Sequence, residues 1–105
     1  MTFLATAAFA LLILTAHQSY AQDPQVERGR AFAQSNCASC HAIGTSGDSR
    51  LPEAPPFRTL HERYPVEDLA ESLAEGIKTS HPMPEFQLDG AEVDDLIAYL
   101  KSLEH

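Results

Sequence analysis

Apolar and small residues recur at three- and four-residue intervals in three separate stretches of the chain, and this spacing predicts three helices. The first helix is expected to begin at Asp23-Pro24, because an acidic N-cap is followed by proline at the first helical position. It should run to Asn36. Its apolar face consists of Val26, Gly29, Phe32 and Ala33.

The second and third predicted helices carry more regular apolar stripes. The second starts at Tyr64-Pro65 and ends near Gly76, a residue type that often terminates helices. The third begins at Asp89, where Glu92 three residues later completes a capping-box pattern. No stretch alternates in the manner of a strand, so we predict an all-α fold. The two stripes are Val66, Leu69, Ala70, Leu73 and Ile77, and Val93, Leu96, Ile97, Leu100 and Leu103.

Two long irregular segments separate these helices. Residues 44–56 are rich in Gly, Ser and Pro, and the two prolines of residues 81–84 exclude regular helix there. Loops of this length are uncommon in a small compact domain. They are reasonable if the loops surround a bulky cofactor.

The first residues are a separate apolar segment. Residues 3–16 carry no charge, and their length suits the core of a secretion signal better than a membrane span. Small residues at Ser19 and Ala21 predict cleavage after Ala21. We therefore expect a signal peptide at residues 1–21, a mature domain at residues 22–105 and no membrane insertion after cleavage. The missing Lys or Arg before the apolar run leaves a retained membrane anchor as the alternative.

The charge of the chain belongs entirely to the expected mature domain. All 7 Lys and Arg and all 15 Asp and Glu follow Ala21, which gives a net charge of −8. Such a surface argues against nucleic acid and anionic lipid as partners and favours proteins with basic patches. A domain of about 84 residues has a marginal core and usually needs a disulfide, metal or cofactor.

The sequence Cys37-Ala38-Ser39-Cys40-His41 is the C-x-x-C-H pattern of covalent haem attachment. The two thiols would add to the two vinyl groups of one haem, and His41 would coordinate the iron from the proximal side. The alternatives are a disulfide, a thioredoxin-type redox pair or a zinc site. The redox pair favours a βαβ setting, and zinc usually needs four ligands, whereas the chain has only two cysteines.

Met83 is the candidate sixth ligand of the iron. It is the single methionine after Met1, and it stands between Pro82 and Pro84 rather than on a helical face. The prolines restrict the loop before ligation and so lower its entropic cost. His81 remains an alternative ligand, whereas the polar surroundings of His61 favour a solvated side chain.

In these features the chain resembles the class I c-type cytochromes, specifically the short single-haem bacterial members. The resemblance implies a small cytochrome c fold, with three main helices and long loops around one covalent haem c. It also implies that Gly29 and Phe32 of the first helix meet Leu96 and Tyr99 of the last. The likeness lies in Gly29 and Phe32 before the CASCH motif, Gly44 after it, APPF at 54–57, HPMPEF at 81–86 and DDLIAYLKSL at 94–103.

The resemblance further implies a proline carbonyl that accepts a hydrogen bond from His41 Nδ1, and here Pro56 is preferred to Pro55. The chain departs from familiar members in two respects, since it is acidic and has no Trp to contact a haem propionate. Substitutes for the Trp contact could be Arg50, Arg58 or Tyr64.

These features predict a periplasmic, monomeric carrier of single electrons between redox proteins, and not an enzyme. Cys37, Cys40, His41, Met83 and Pro56 would bind the haem, with His41 and Met83 as iron ligands. One alternative is a haem enzyme or sensor with an open or His-ligated sixth site. Another is a cytochrome subunit of a dehydrogenase complex. The acidic run at residues 92–95 is expected to be a solvated face, with a docking role as its alternative.

Overall fold

The computed structural model describes residues 23–77 and 83–104. The expected signal peptide, His81 and Pro82 lie outside these residues. The described part is helical and has no strands, which confirms the all-α prediction. Its helices are α1 (Pro24–Asn36), a first 3₁₀ helix (Phe57–Glu62), a second 3₁₀ helix (Val66–Asp68), α2 (Leu69–Glu75) and α3 (Gly90–Ser102).

The start of α1 follows the predicted capping. The Asp23 carboxylate accepts a hydrogen bond from the Gln25 backbone N–H at 2.9 Å, and Pro24 occupies the first helical position. Proline has no N–H to leave unpaired there, and its φ already suits a helix. The helix buries Gly29 and Ala33 on one face.

The region of the second predicted helix divides into two parts. Pro65 precedes the 3₁₀ turn Val66–Asp68, and only then does α2 begin. The Asp68 backbone N–H bonds the Pro65 carbonyl at 3.0 Å, and no side chain caps α2. A 3₁₀ hydrogen bond of this kind pairs a backbone N–H near the helix start that a capping side chain would otherwise accept from. The helix stops at Gly76, whose φ of 98° lies in the region that favours glycine.

The capping box of α3 is present as predicted. The Asp89 carboxylate accepts from the Glu92 N–H at 2.8 Å, and the Glu92 carboxylate accepts from the Asp89 N–H at 3.1 Å. This reciprocal pair fixes the first turn of the helix. The apolar stripe of α3 then faces inward, with Val93, Leu96, Tyr99 and Leu100 buried.

Helices α1 and α3 pack against each other at Gly29. A Cβ at Gly29 would overlap the Asp95 carbonyl oxygen and would lie 2.7 Å from Tyr99 Cβ. Only glycine therefore permits this approach of the two backbones. Beside it, the Arg28 guanidinium donates to both carboxylate oxygens of Asp95, at 3.0 and 3.2 Å. The expected contact of Gly29 with Tyr99 is confirmed.

The buried core joins the C-terminal helix to the middle of the chain. Val66 and Leu100 are almost completely buried, and Leu60, Leu73 and Leu88 belong to the same cluster. Partly buried Phe32, Leu69, Ile77 and Phe86 pack against it. No helix among the described residues is both long enough and apolar enough to cross a membrane.

Replacing Gly29 by alanine should destabilise the folded protein by about 1–3 kcal/mol, because the added methyl must push α1 away from α3. Urea unfolding of the haem-loaded protein, followed by circular dichroism, measures this difference.

Gly90→Ala is the matched control, since Gly90 is also helical and a Cβ there would meet nothing within 4 Å. This control should be unchanged or slightly more stable, by up to about 1 kcal/mol. Equal stability of the Gly29→Ala protein and the wild type would show that the two helices are not in close backbone contact.

Candidate functional site

An apolar cavity of about 290 Å³ opens between the turn after α1, the first 3₁₀ helix, α2 and α3. Side chains from distant parts of the sequence meet in its wall. The C-x-x-C-H residues and Met83 contribute the groups with ligand chemistry. Most of the remaining wall is aliphatic or aromatic, including Phe32, Phe57, Leu60, Leu73, Leu96 and Leu100.

The C-x-x-C-H residues form a hydrogen-bonded turn that continues from the end of α1. The Cys37 N–H bonds the Ala33 carbonyl at 2.8 Å, and the Cys37 carbonyl accepts from the N–H of His41 at 2.9 Å. The turn brings the side chains of Cys37, Cys40 and His41 to the cavity wall together. Three groups that are close in sequence therefore reach one space with a fixed backbone.

Both cysteines are free thiols in the structure. Burial, reinforced by the neighbouring Cys40, raises the pKa of the Cys37 thiol to about 11. A thiol of this kind is protonated at neutral pH, whereas a thioredoxin-type pair relies on a thiol with a lowered pKa. The surroundings of Cys37 thus disfavour the redox-pair alternative.

His41 is oriented by a backbone carbonyl. Its Nδ1–H donates to the Pro55 carbonyl oxygen at 2.8 Å, and its ring centroid lies 5.0 Å from that of Phe57. A hydrogen bond at Nδ1 selects the tautomer in which Nε2 carries the free lone pair. The imidazole is therefore prepared to act as a neutral donor through Nε2.

The preference for Pro56 as the partner of His41 was wrong, since the carbonyl that faces Nδ1 is that of Pro55. Pro56 is the N-cap of the first 3₁₀ helix. Its carbonyl accepts from the backbone N–H of Thr59 at 3.0 Å and from the Thr59 hydroxyl at 2.8 Å. The Pro56 carbonyl thus begins the 3₁₀ helix and is not directed at His41.

Hydrogen bonds that sequence reasoning missed hold the segment after His41. The Phe57 N–H bonds the Ala42 carbonyl at 2.9 Å, and the Ala42 N–H bonds the Ser49 hydroxyl at 2.9 Å. The Tyr99 hydroxyl donates to the Ile43 carbonyl at 2.5 Å. Burial raises the pKa of Tyr99, so the phenol is a donor throughout the neutral range. No local sequence signal marks these partners, because they are far apart in the chain.

Met83 lines the same cavity as His41, and its side chain is half-buried. After Met83 in the sequence, Phe86 packs against the core, and the Leu88 N–H donates a hydrogen bond to the Leu73 carbonyl at 3.0 Å. The structure thus brings together Cys37, Cys40, His41 and Met83, the four side chains that the sequence predicts to bind the haem. His81, the alternative ligand, lies outside the described residues.

His61 is half-buried rather than fully solvated as expected. Its Nδ1 atom is buried and finds no hydrogen-bond partner among the described residues. His61 is also absent from the residues that line the cavity. It therefore has no place in the candidate site.

Of the three candidate substitutes for Trp, only Tyr64 lines the cavity. The Arg58 guanidinium donates to the Gly47 carbonyl at 2.8 Å, and neither Arg58 nor Arg50 lines the cavity. Tyr64 does line it and is 39% exposed, so it lies where the cavity meets solvent. Of the three, Tyr64 is the side chain placed to reach the edge of a group in the cavity.

The donor set and the wall fit a covalently bound haem. Two thiols stand on the turn that also carries an oriented imidazole, and a thioether lines the same space. The apolar wall suits a porphyrin ring, and Tyr64 and Glu53 provide polar groups at exposed positions. Across the described ranges, no three His, Cys, Asp or Glu side chains gather into a group that could hold a metal ion by themselves.

Comparisons with known proteins agree with this fit. Residues 26–104 match the family described as Cytochrome c. The chain is 30% identical over 105 residues to a protein of Synechocystis sp. described as Cytochrome c-553-like, which covers 98% of this chain and 94% of that protein. No solved structure matches the chain.

Single replacement of Cys37 by alanine should leave haem attached through one thioether only. One vinyl group then stays conjugated with the porphyrin, so the reduced band of the pyridine complex should shift to longer wavelength. Mass spectrometry and the pyridine haemochrome spectrum together measure attachment and vinyl saturation.

The control is Ser39→Ala, which lies inside the motif and should leave both thioethers and the spectrum unchanged. A Cys37→Ala protein with the wild-type band position would mean that Cys37 does not react with a vinyl group.

Proposed function

Because the chain belongs to the cytochrome c family, we propose that it is an exported single-haem electron carrier whose iron is ligated by His41 and Met83. Haem c, with its iron, is the covalently bound cofactor. The observation that carries the proposal is the meeting of both candidate ligands and both thiols in one apolar cavity.

When bound, the haem supplies one-electron chemistry through the ferric and ferrous states of its iron. The chain's own residues determine how readily that chemistry occurs. His41 would hold the iron through Nε2, and the Pro55 carbonyl accepts a hydrogen bond from its Nδ1–H at 2.8 Å. This hydrogen bond fixes the ring and strengthens its donor nitrogen.

Met83 would hold the iron through a weak and neutral thioether. Such a donor favours the ferrous state and so raises the reduction potential relative to a second imidazole. An iron held by both His41 and Met83 would have no free position for a substrate. The ligand pair therefore favours an electron carrier over a peroxidase-like enzyme or a gas sensor.

The wall around the two candidate ligands is largely apolar. Leu60, Leu73 and Leu96 are each less than a tenth exposed and line the cavity. Apolar surroundings disfavour the extra positive charge of ferric iron and so also raise the reduction potential of the haem. Several of the lining residues also belong to the buried core, which would limit their movement as the charge changes and so suit rapid electron transfer.

Export and partner choice follow from the sequence. The uncharged apolar run at residues 3–16 and the small residues before Gln22 support removal of residues 1–21 and release into the periplasm. The net charge of −8 supports donors and acceptors with basic docking surfaces. The carrier acts as a monomer, with residues 22–105 as its single domain.

Replacement of Met83 by alanine should abolish the weak near-infrared absorption band of the ferric methionine complex. Axial ligands tune haem potentials over about 0.8 V, so the midpoint potential should fall by on the order of 0.1 V. Absorption spectroscopy and redox titration of the purified protein measure the two effects.

His81→Ala is the control, because His81 is the competing ligand two residues away. It should keep both the band and the potential. A wild type without the band whose potential changes in His81→Ala but not in Met83→Ala, or rapid carbon monoxide binding by the wild-type ferrous protein, would argue for another sixth ligand or an open site.

The acidic surface should make electron transfer depend on the charge of the reagent. Oxidation by the cationic tris(phenanthroline)cobalt(III) complex should slow several-fold when ionic strength rises from about 0.01 M to about 1 M, because the Debye length falls from roughly 30 Å to 3 Å. Oxidation by anionic ferricyanide should become faster. Stopped-flow kinetics measure both, and equal salt dependence of the two reagents would exclude electrostatic steering.

A further inference from the structure

One segment of the cavity wall is tied to the attachment turn at two points. The Leu51 N–H bonds the Cys40 carbonyl at 3.1 Å, and the Pro55 carbonyl accepts from His41 Nδ1 at 2.8 Å. Between these points, the Ala54 N–H bonds the Leu51 carbonyl at 2.9 Å and closes a β-turn. The backbone of this segment is therefore held in place beside the residues that attach the haem.

Glu53 occupies the third position of that turn, directly after Pro52, whose ring suits the second position. The side chain of Glu53 is exposed, and it lines the cavity. Among the described residues of the cavity wall, Glu53 is the only Asp, Glu, Lys or Arg. This wall therefore carries one carboxylate and no Lys or Arg side chain to oppose it.

Glu53 has no ion-pair partner among the described residues. The ion pairs in that part of the chain are formed by other side chains: Arg28 with Asp95, Arg30 with Glu27 and Lys101 with Glu67. Arg58, close to Glu53 in the sequence, donates instead to the Gly47 carbonyl at 2.8 Å. The charge of Glu53 is therefore not neutralised by direct contact with any of these cations.

We propose that Glu53 lowers the reduction potential of the haem through the charge of its carboxylate at the edge of the cavity. The inference rests on the proposed electron-carrier function. It identifies the wall residue that acts against the Met83 thioether and the apolar side chains, both of which raise the potential. Glu53 itself neither ligates the iron nor attaches the haem.

The physical reason is the one unit of charge that separates the ferric and ferrous states. A carboxylate attracts the more positive ferric state more strongly, so it favours loss of the electron. Because Glu53 is exposed, water and salt screen this attraction, and we expect about a threefold effect on the ratio of ferric to ferrous protein at a given applied potential. Threefold corresponds to roughly 28 mV, at about 59 mV per tenfold for a one-electron couple.

Glu62 provides the matched control. It is also an exposed glutamate, at the end of the first 3₁₀ helix, but it does not line the cavity. Glu62→Gln and Glu53→Gln remove the same charge from the molecule, and both keep the size and polarity of the side chain. A difference between the two variants therefore reports where the charge lies and not the net charge of the protein.

The test is a redox titration of the purified haem-loaded proteins at about 0.1 M ionic strength, where the Debye length is roughly 10 Å. Glu53→Gln should raise the midpoint potential by roughly 28 mV, and Glu53→Lys, which changes the charge by two units, should raise it by about twice as much. Glu62→Gln should raise it by less than half of the Glu53→Gln change. At about 1 M ionic strength these differences should shrink, whereas a difference caused by altered packing would persist.

An unchanged potential in Glu53→Gln, an equal rise in Glu62→Gln, or a rise in Glu53→Lys no larger than that in Glu53→Gln would overturn the role of the Glu53 charge. The near-infrared band, recorded on the same samples, tests the iron ligation separately. A wild type without that band would contradict ligation by Met83. The order of the four potentials would still decide the role of Glu53, because the effect of its charge requires only attached haem.

Discussion

The close packing of α1 on α3 at Gly29 is the constraint on which the rest of the structure depends. The turn with Cys37, Cys40 and His41 follows directly from the last residues of α1, so its position is set by where α1 lies. Helix α3 supplies the opposing wall and, through Tyr99, holds the Ile43 carbonyl after the turn. A larger residue at Gly29 would therefore disturb the attachment turn and the cavity together.

The second requirement is an apolar wall that the cavity shares with a small core. A domain of this size has few buried residues, and many of them line the cavity as well as the core, including Leu60, Leu73, Leu96 and Leu100. The bound haem then adds apolar surface to the core, and this stabilises a chain that is too short to form a large core by itself. Folding, haem retention and redox tuning consequently share the same side chains. Substitutions of these side chains that alter the reduction potential of the haem should therefore also alter the free energy of unfolding.

Much of this arrangement could be predicted because its signals are local. Each of these features depends on residues only a few positions apart in the sequence: the helix start at Asp23-Pro24, the Asp89–Glu92 capping box and the C-x-x-C-H motif. The choice between Pro55 and Pro56 could not be predicted, because it depends on which carbonyl the 3₁₀ helix takes. The buried Nδ1 of His61 was also missed, since a polar sequence neighbourhood conceals tertiary burial.

The most direct test of His41 and Met83 ligation is a nuclear magnetic resonance spectrum of the ferrous protein grown with ¹³C-methyl methionine. The chain has two methionines, Met1 and Met83, and only Met83 belongs to the expected mature domain. If Met83 holds the iron, one labelled methyl signal should be shifted far upfield, because the ring current of the porphyrin acts on a methyl held against the iron. A labelled methyl signal in the ordinary methionine range would contradict Met83 ligation and with it the proposed carrier.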